Sequence, residues 1–397
     1  MTDTISVRPF DVFYDPFLHS VADDPYPIYR RLRDEQPLYR SEERDCWVLS
    51  RYDDIVAVTR DAATFSCAGG VDLDLPADYL GEGDFLASDA PKHTRLRRVL
   101  HERFTPRAMA ALEAGVRARV DGLVAPIVER GHGDLAAELA FPLPMFTILD
   151  LLGFPAEDAD KLHAWLHATA LRTPGSSARP PECDAAHHAL AAYVGDLIAE
   201  RRRSPREDVL SDIAAAVDAG RMSASETAGM CLLLLTAGWE TTASLISSAV
   251  VLLARHPEQR ARVRAEPSRS AAAIEEVLRY EAPVQYLMRT TTRPVRLHGT
   301  EVPAAARIVL LWAAANRDER HWTDPDSFDV SRAPHRNLAF GDGIHFCLGA
   351  PLARLEGRLA IEALVRVMPD YEISGPLVRL ESHVLRGLHH VPVRCEA

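Results

Sequence analysis

The clearest run of alternating character in the chain is SASETAGMCLLLLTAGWETTASLISSAVVLLARHP. Ser223 and Glu226 stand three apart, the spacing of a capping box, and His256–Pro257 supply a stop. About 30 helical residues between them would span roughly 45 Å at 1.5 Å per residue. The middle of this helix is apolar on every side, which predicts a course through the core. Further helical patterns cover 26–40 (ending before a strand), 93–104, most of 108–203, 274–280, and 348 to about 368. A short strand is predicted at Cys46–Leu49, and Asp53 and Asp54 suit the first turn of the helix after it. Residues 295–297 and 307–311 read as a hairpin around 298–303, with short strands after the last helix. Residues 72–89, rich in Gly, Asp and Pro, read as loop or short irregular helix, and 173–182 as a connection. The expectation is a mainly α fold with small β-sheets (α+β), as one domain over 1–397. Its minor β-rich region draws on parts of 30–60, 283–312 and 370–395. No internal repeat and no linker interrupts this picture.

Composition narrows the function classes. The chain has 397 residues, 47% of them hydrophobic and 26% charged, which is globular composition. Its net charge of -12 argues against nucleic acid or an anionic membrane as main partner. The start, MTDTISVRPFDVF, lacks a basic segment followed by an apolar one, and the longest uninterrupted apolar stretch is short, so a cytoplasmic protein is expected. The six cysteines are scattered, with no CxxC pair, which argues against a local zinc or iron–sulfur site and against a disulfide framework.

One of these cysteines stands apart. In FGDGIHFCLG, Cys347 sits among Gly341, Gly343 and Gly349, just before the helix LGAPLARLEGRLAIEALVRV, where Pro351 suits the first turn. The glycines let the backbone turn tightly and approach something flat. A helix start favours a thiolate. Three roles fit: a nucleophile, for which the nearby His345 is awkwardly placed as a base; an axial metal ligand on a rigid loop; or an inert buried thiol.

FGDGIHFCLG resembles the haem-binding loop of the cytochrome P450 family, F-G-x-G-x-H-x-C-x-G, at every fixed position. The resemblance implies a P450-like fold, with the long helix over a haem and the cysteine loop beneath it. It implies haem b as cofactor and Cys347 as the thiolate ligand of its iron, with Gly341 and Gly343 keeping the loop tight, Phe340 packed below the macrocycle and Gly349 also against the cofactor. DAPKHTRLRRVLHERFTPR is similar to the family's propionate-binding segment. His93 and Arg97 share a helix face, and with Arg289 and His345 they are implied to neutralise the propionates, whereas the bland reading leaves these arginines solvating a helix. EEVLR, with Glu276 and Arg279, and the later FDVSR, with Arg332, match the family's buried charged lock.

AGWETT in the long helix resembles the acid–alcohol pair, with Glu240 and Thr241 as catalytic residues that hold oxygen or water and relay protons. The bland alternative has Thr241 bonding back to a carbonyl and Glu240 meeting an arginine or water. Ala237 and Gly238 would let the helix pass close over the iron. Two positions depart from the usual pattern: Trp239 and Asn337 stand where bacterial relatives often have histidine.

The implied activity is a monooxygenase that hydroxylates, or oxidatively demethylates, a small and largely apolar molecule with O2. The expected pocket is Gly70, Val71, Leu234, Ala237, Gly238, Val284, Tyr286, Leu287 and Leu388, with Asp72 and Asp74 near one end. With no room for a fused reductase, electrons would come indirectly from NAD(P)H through a separate ferredoxin or flavodoxin. Arg103, Arg107, Arg354 and Arg358 are candidate docking residues on a monomer. The rival readings are an atypical P450 oxidation (coupling, nitration, epoxidation or peroxide-driven), a haem gas sensor, and a cysteine hydrolase.

Overall fold

The computed structural model describes residues 12–75, 77–169, 180–333 and 335–395. The predicted connection at 173–182 lies largely outside them. The long helix is Glu226–Arg255, ending at His256 as the His-Pro pair requires. Its capping box is reciprocal: the Ser223 N–H donates to Glu226 at 2.8 Å, and the Glu226 N–H donates to the Ser223 hydroxyl at 3.3 Å. Arg95 donates to both oxygens of Glu226, at 2.9 and 2.6 Å, and holds that carboxyl well below the usual range, to about 2. Arg95 therefore fastens one helix to the start of another.

The long helix packs against Pro142–Leu152, Pro181–Arg203, Ser270–Tyr280 and Ala350–Val367. By length and composition it could cross a bilayer, but 72% of its apolar window is buried inside this chain. Burial on all faces explains why it shows no polar stripe. Smaller helices flank this core. Among them, Lys92–Leu100 tightens into a 3₁₀ turn at His101–Phe104, so the predicted helix there is shorter than expected.

The main sheet has five strands, in the order Leu38–Ser41, Cys46–Leu49, Arg307–Leu310, Leu287–Thr291 and Phe65–Ser66. Cys46–Leu49 pairs parallel to Arg307–Leu310, with Trp47 opposite Ile308. This corrects the predicted hairpin. Val295–Leu297 pairs instead with Thr300–Val302, through a two-residue turn in which His298 (φ 47°) and Gly299 (φ 79°) both take left-handed backbone. The tight turn leaves Arg307–Leu310 free to join the larger sheet. Strands from the C-terminal region form two small separate sheets, one of them with His132–Asp134.

Where helices meet the sheet, a buried ionic lock joins three chain segments. Arg279 donates to both oxygens of Glu276 at 2.7 Å, and Arg332 approaches the same carboxylate to 3.2 Å. The Asp329 N–H adds a bond at 2.9 Å. The remaining Arg279 donors reach the carbonyls of Pro325, Ser327 and Asn316. Glu276 and Arg279 are almost wholly buried, yet each is satisfied by named partners. Removing one partner strands the other charge in a medium that cannot solvate it. Arg279→Ala should cost about 3–5 kcal/mol, read as a lower urea midpoint with the slope of the transition unchanged.

Candidate active site

Gly341 (φ 69°) and Gly343 (φ 71°) carry the loop through left-handed backbone. At Gly343 a side chain is excluded outright, because its first carbon would lie 2.3 Å from the Thr59 carbonyl oxygen. Asp342 pins the same turn. It accepts from the Gly343 N–H at 2.6 Å, from Arg60 at 2.8 Å, and from Arg336. The Cys347 N–H closes the loop on the Phe340 carbonyl at 3.0 Å. Cys347 is thus presented at the entry of the helix Ala350–Val367.

The sulfur meets two opposing influences. Burial pushes the Cys347 thiol up, while the N–H groups of Gly349 and Ala350, with Arg97 and Arg354, favour the thiolate. Burial prevails, so the helix start alone does not make the thiolate that the sequence suggested. A cation bound at the sulfur would be needed.

Cys347 opens on a cavity of about 640 Å³. Phe340, Gly341 and Gly349 form the floor beside it. Across from them stand Ala237, Gly238, Glu240 and Thr241 of the long helix. Ala237 faces the open space, but Gly238 does so only in part: a side chain there would meet Ile148 at 3.1 Å, so its smallness serves helix packing. Thr241 donates to the Ala237 carbonyl at 2.7 Å, the back-bond expected of threonine in a helix. Glu240 has neither an arginine nor a hydrogen bond among the described residues. Burial raises its pKa, and only His167 opposes the rise. Trp239 also lines the cavity, and its indole N–H donates to the Phe141 carbonyl at 3.0 Å while the ring meets that of His163 edge-on at 4.8 Å.

One edge of the cavity gathers two arginines and two histidines. Arg97, Arg289 and His345 line it, and His93 stands behind, its ring 4.2 Å from that of His345. Arg97 donates to the Phe346 carbonyl at 2.6 Å and Arg289 to the Met288 carbonyl at 2.7 Å. Neither has a carboxylate partner among the described residues. Burial, aided by the charges of Arg289, His93 and Arg97, pushes His345 down to about 3. Burial and then Arg97 lower His93. Both His93 nitrogens and Nε2 of His345 are buried without a hydrogen-bond partner. Buried donors and cations left unmatched in this way call for an anionic group with several acceptors. A flat group with two carboxylates at this edge and a cation above Cys347 would suit these unmatched groups.

Gly70, Val71, Leu234, Val284 and Leu287 also line the cavity. Tyr286 and Leu388 do not. Tyr286 is fully buried behind the wall, its hydroxyl 2.6 Å from His383, and Leu388 lies in the core. Asn337 holds Glu275 at 3.2 Å and accepts from the Ala339 N–H, so the departure there leaves a satisfied polar contact. Three candidate docking arginines are already paired: Arg103 with Asp212, Arg354 with Glu275, and Arg358 with Glu113 and Glu362. Arg107 is exposed, with no ion pair among the described residues.

Comparison with known proteins decides the family. The family model described as Cytochrome P450 matches residues 180–367. Cytochrome P450 123 of Mycobacterium tuberculosis is 39% identical over 99% of this chain and 100% of its own length. The chain belongs to the cytochrome P450 family. P450 membership makes it a haem-thiolate oxidoreductase of the monooxygenase class. Vitamin D(3) 25-hydroxylase of Pseudonocardia autotrophica is 37% identical, with 96% of each chain covered. The crystal structure of a Bacillus megaterium P450 in complex with testosterone superposes with a TM-score of 0.87 at 31% identity, covering 95% of this chain and 99% of the other. The expected P450 fold, with its long central helix, is therefore the observed one.

Two features went unnoticed in the sequence. His163 and His167, four apart on the helix Ala159–Thr169, both line the cavity, and their i,i+4 spacing was the available signal. Glu356 lies on the face that Leu352 and Leu359 share, an apolar stripe broken by one acid. It is buried, neither oxygen has a hydrogen-bond partner among the described residues, and burial raises its pKa to about 8. Folding then takes up a proton between about pH 4.5, where the unfolded carboxyl titrates, and pH 8. The stability of the chain should fall as pH rises through that window. Glu356→Gln should flatten this slope in urea unfolding measured at several pH values.

Proposed function

We propose that the enzyme hydroxylates, or oxidatively demethylates, a small and largely apolar molecule, using O2 and two electrons. A separate ferredoxin or flavodoxin, reduced indirectly by NAD(P)H, would supply them. One observation carries this reading: a single cavity joins Cys347, an edge of unmatched cations and an acid–alcohol pair on the long helix.

Cys347 would hold the iron of haem b. Arg97, Arg289 and His345, with His93 behind, would bind its propionates, and Phe340, Gly341 and Gly349 would lie against its lower face. Haem bound there supplies the oxygen activation that side chains lack. The remaining work falls to the chain. The fixed loop holds the sulfur in place, and Ala237 leaves room above. Thr241 keeps its hydroxyl oxygen free to accept while donating to Ala237, and it can turn to donate into the cavity. Glu240, poised by burial to carry a proton, would pass protons toward the Thr241 hydroxyl. Glu276, Arg279 and Arg332 would act by holding the fold.

The apolar wall of Val71, Leu234, Val284 and Leu287 suits a hydrocarbon body. The hydroxylase named for vitamin D(3) and the P450 bound to testosterone support steroid-sized molecules as first probes. Testosterone, vitamin D3 and myristic acid should be screened by the low-to-high-spin shift of the haem. At least one should shift it, and none doing so while polar compounds do would contradict an apolar substrate.

Two substitutions test the roles. Cys347→Ser should abolish the carbon-monoxide band for which the family is named, as read in reduced-difference spectra. Thr241→Ala should keep that band but divert most reducing equivalents to peroxide, as measured by product formed per electron delivered.

A further inference from the structure

The acid on the proposed proton path has no partner in its own surroundings. Glu240 is half-buried in the cavity wall and, among the described residues, has no hydrogen bond and no ion pair. A relay acid must exchange protons with water, so something has to connect it to solvent. The helix Ala159–Thr169 crosses the long helix here. Its His163 ring meets Trp239, the neighbour of Glu240, at 4.8 Å. His167 lies one turn further along the same face, roughly 6 Å on. It is exposed to solvent and also lines the cavity that Glu240 lines.

We propose that His167 is the proton-entry residue for Glu240, joining bulk water to the acid–alcohol pair through bound water. This rests on the monooxygenase reading, because only a reaction that consumes protons above Cys347 needs the path.

Among the described residues, the neighbouring titratable groups on these elements are engaged elsewhere, and Asp72, Asp74, Glu381 and His383 line the cavity from other segments. Lys161 is paired with Asp158 at 2.7 Å, and Asp150 with Arg119 at 2.7 Å. His389 stacks on Phe141, with 5.3 Å between ring centroids. Asp84 accepts from the N–H groups of Leu86 and Ala87. Asp160 is exposed, away from the cavity lining. The His163 ring is taken up by Trp239. Among the described residues, His167 is the group whose charge would oppose the effect of burial on Glu240. An imidazole can accept a proton at one ring nitrogen and release one from the other. In the transfer an N–H bond of the imidazolium breaks and an O–H bond of the Glu240 carboxyl forms. The neutral imidazole then takes a proton from solvent at its exposed face. His167 is thus a positioning and relay residue; it does not touch the reacting atoms.

The test needs neither a substrate nor turnover. In the holoenzyme, the infrared band of the protonated Glu240 carboxyl is identified by its loss in Glu240→Gln. After a downward pH jump, the band should grow about tenfold more slowly in His167→Gln than in the parent. At equilibrium, His167→Gln should keep Glu240 protonated to higher pH, because the opposing positive charge is gone. His167→Lys, which restores a cation, should bring the titration back toward that of the parent. His163→Gln should leave both readouts unchanged. Equal growth rates and equal titrations in the parent and His167→Gln would overturn the proposal. Failure of the monooxygenase reading would show separately, as absence of the carbon-monoxide band in the parent.

Discussion

The site depends on one steric constraint, the absence of a side chain at Gly343. The backbone there passes so close to the Thr59 carbonyl that even a methyl group has no room. Asp342 fixes the same turn from the other side with Arg60, Arg336 and the Gly343 N–H. Together they set where Cys347 emerges, and so where the cavity floor lies. A looser loop would let the sulfur wander, and the cations at the cavity edge would lose their common target.

Charge in this protein is divided between two regimes. At the ionic lock, Glu276, Arg279 and Arg332 satisfy one another and the surrounding carbonyls, so burial there organises structure. At the cavity edge, Arg97, Arg289 and the two histidines are left incomplete. The contrast is informative because a folded chain rarely leaves several buried polar groups unmatched in one place. Glu240 and Glu356 form a further class, acids whose pKa burial raises. Glu240 faces the cavity, and Glu356 lies in the helix that leads away from Cys347.

Local patterns carried most of the fold and site into view. The cysteine loop, the capping box at Ser223 and the Glu276–Arg279 spacing are each written within a few residues, and each appeared as read. The hairpin failed because strand partners are chosen across the fold. Nothing near Arg307 in the chain announces that it pairs with Leu287–Thr291 and runs parallel to Cys46–Leu49. Tyr286 failed for a related reason. Successive side chains in an extended segment point to opposite sides, so its neighbour Leu287 took the cavity and Tyr286 took the core. Arg103 and Arg354 looked free because their acidic partners, Asp212 and Glu275, lie far off in sequence, whereas Arg358 also had a partner four residues on in Glu362. His163 and His167 were passed over because an exposed histidine looks ordinary until the surface beyond it proves to be a cavity wall.

The central claim is a bond between the Cys347 sulfur and iron. X-ray absorption at the iron edge of the purified holoenzyme tests it most directly. The account predicts one sulfur among the iron's nearest neighbours, absent in Cys347→Ser. An iron surrounded only by nitrogen and oxygen in the parent protein would contradict it.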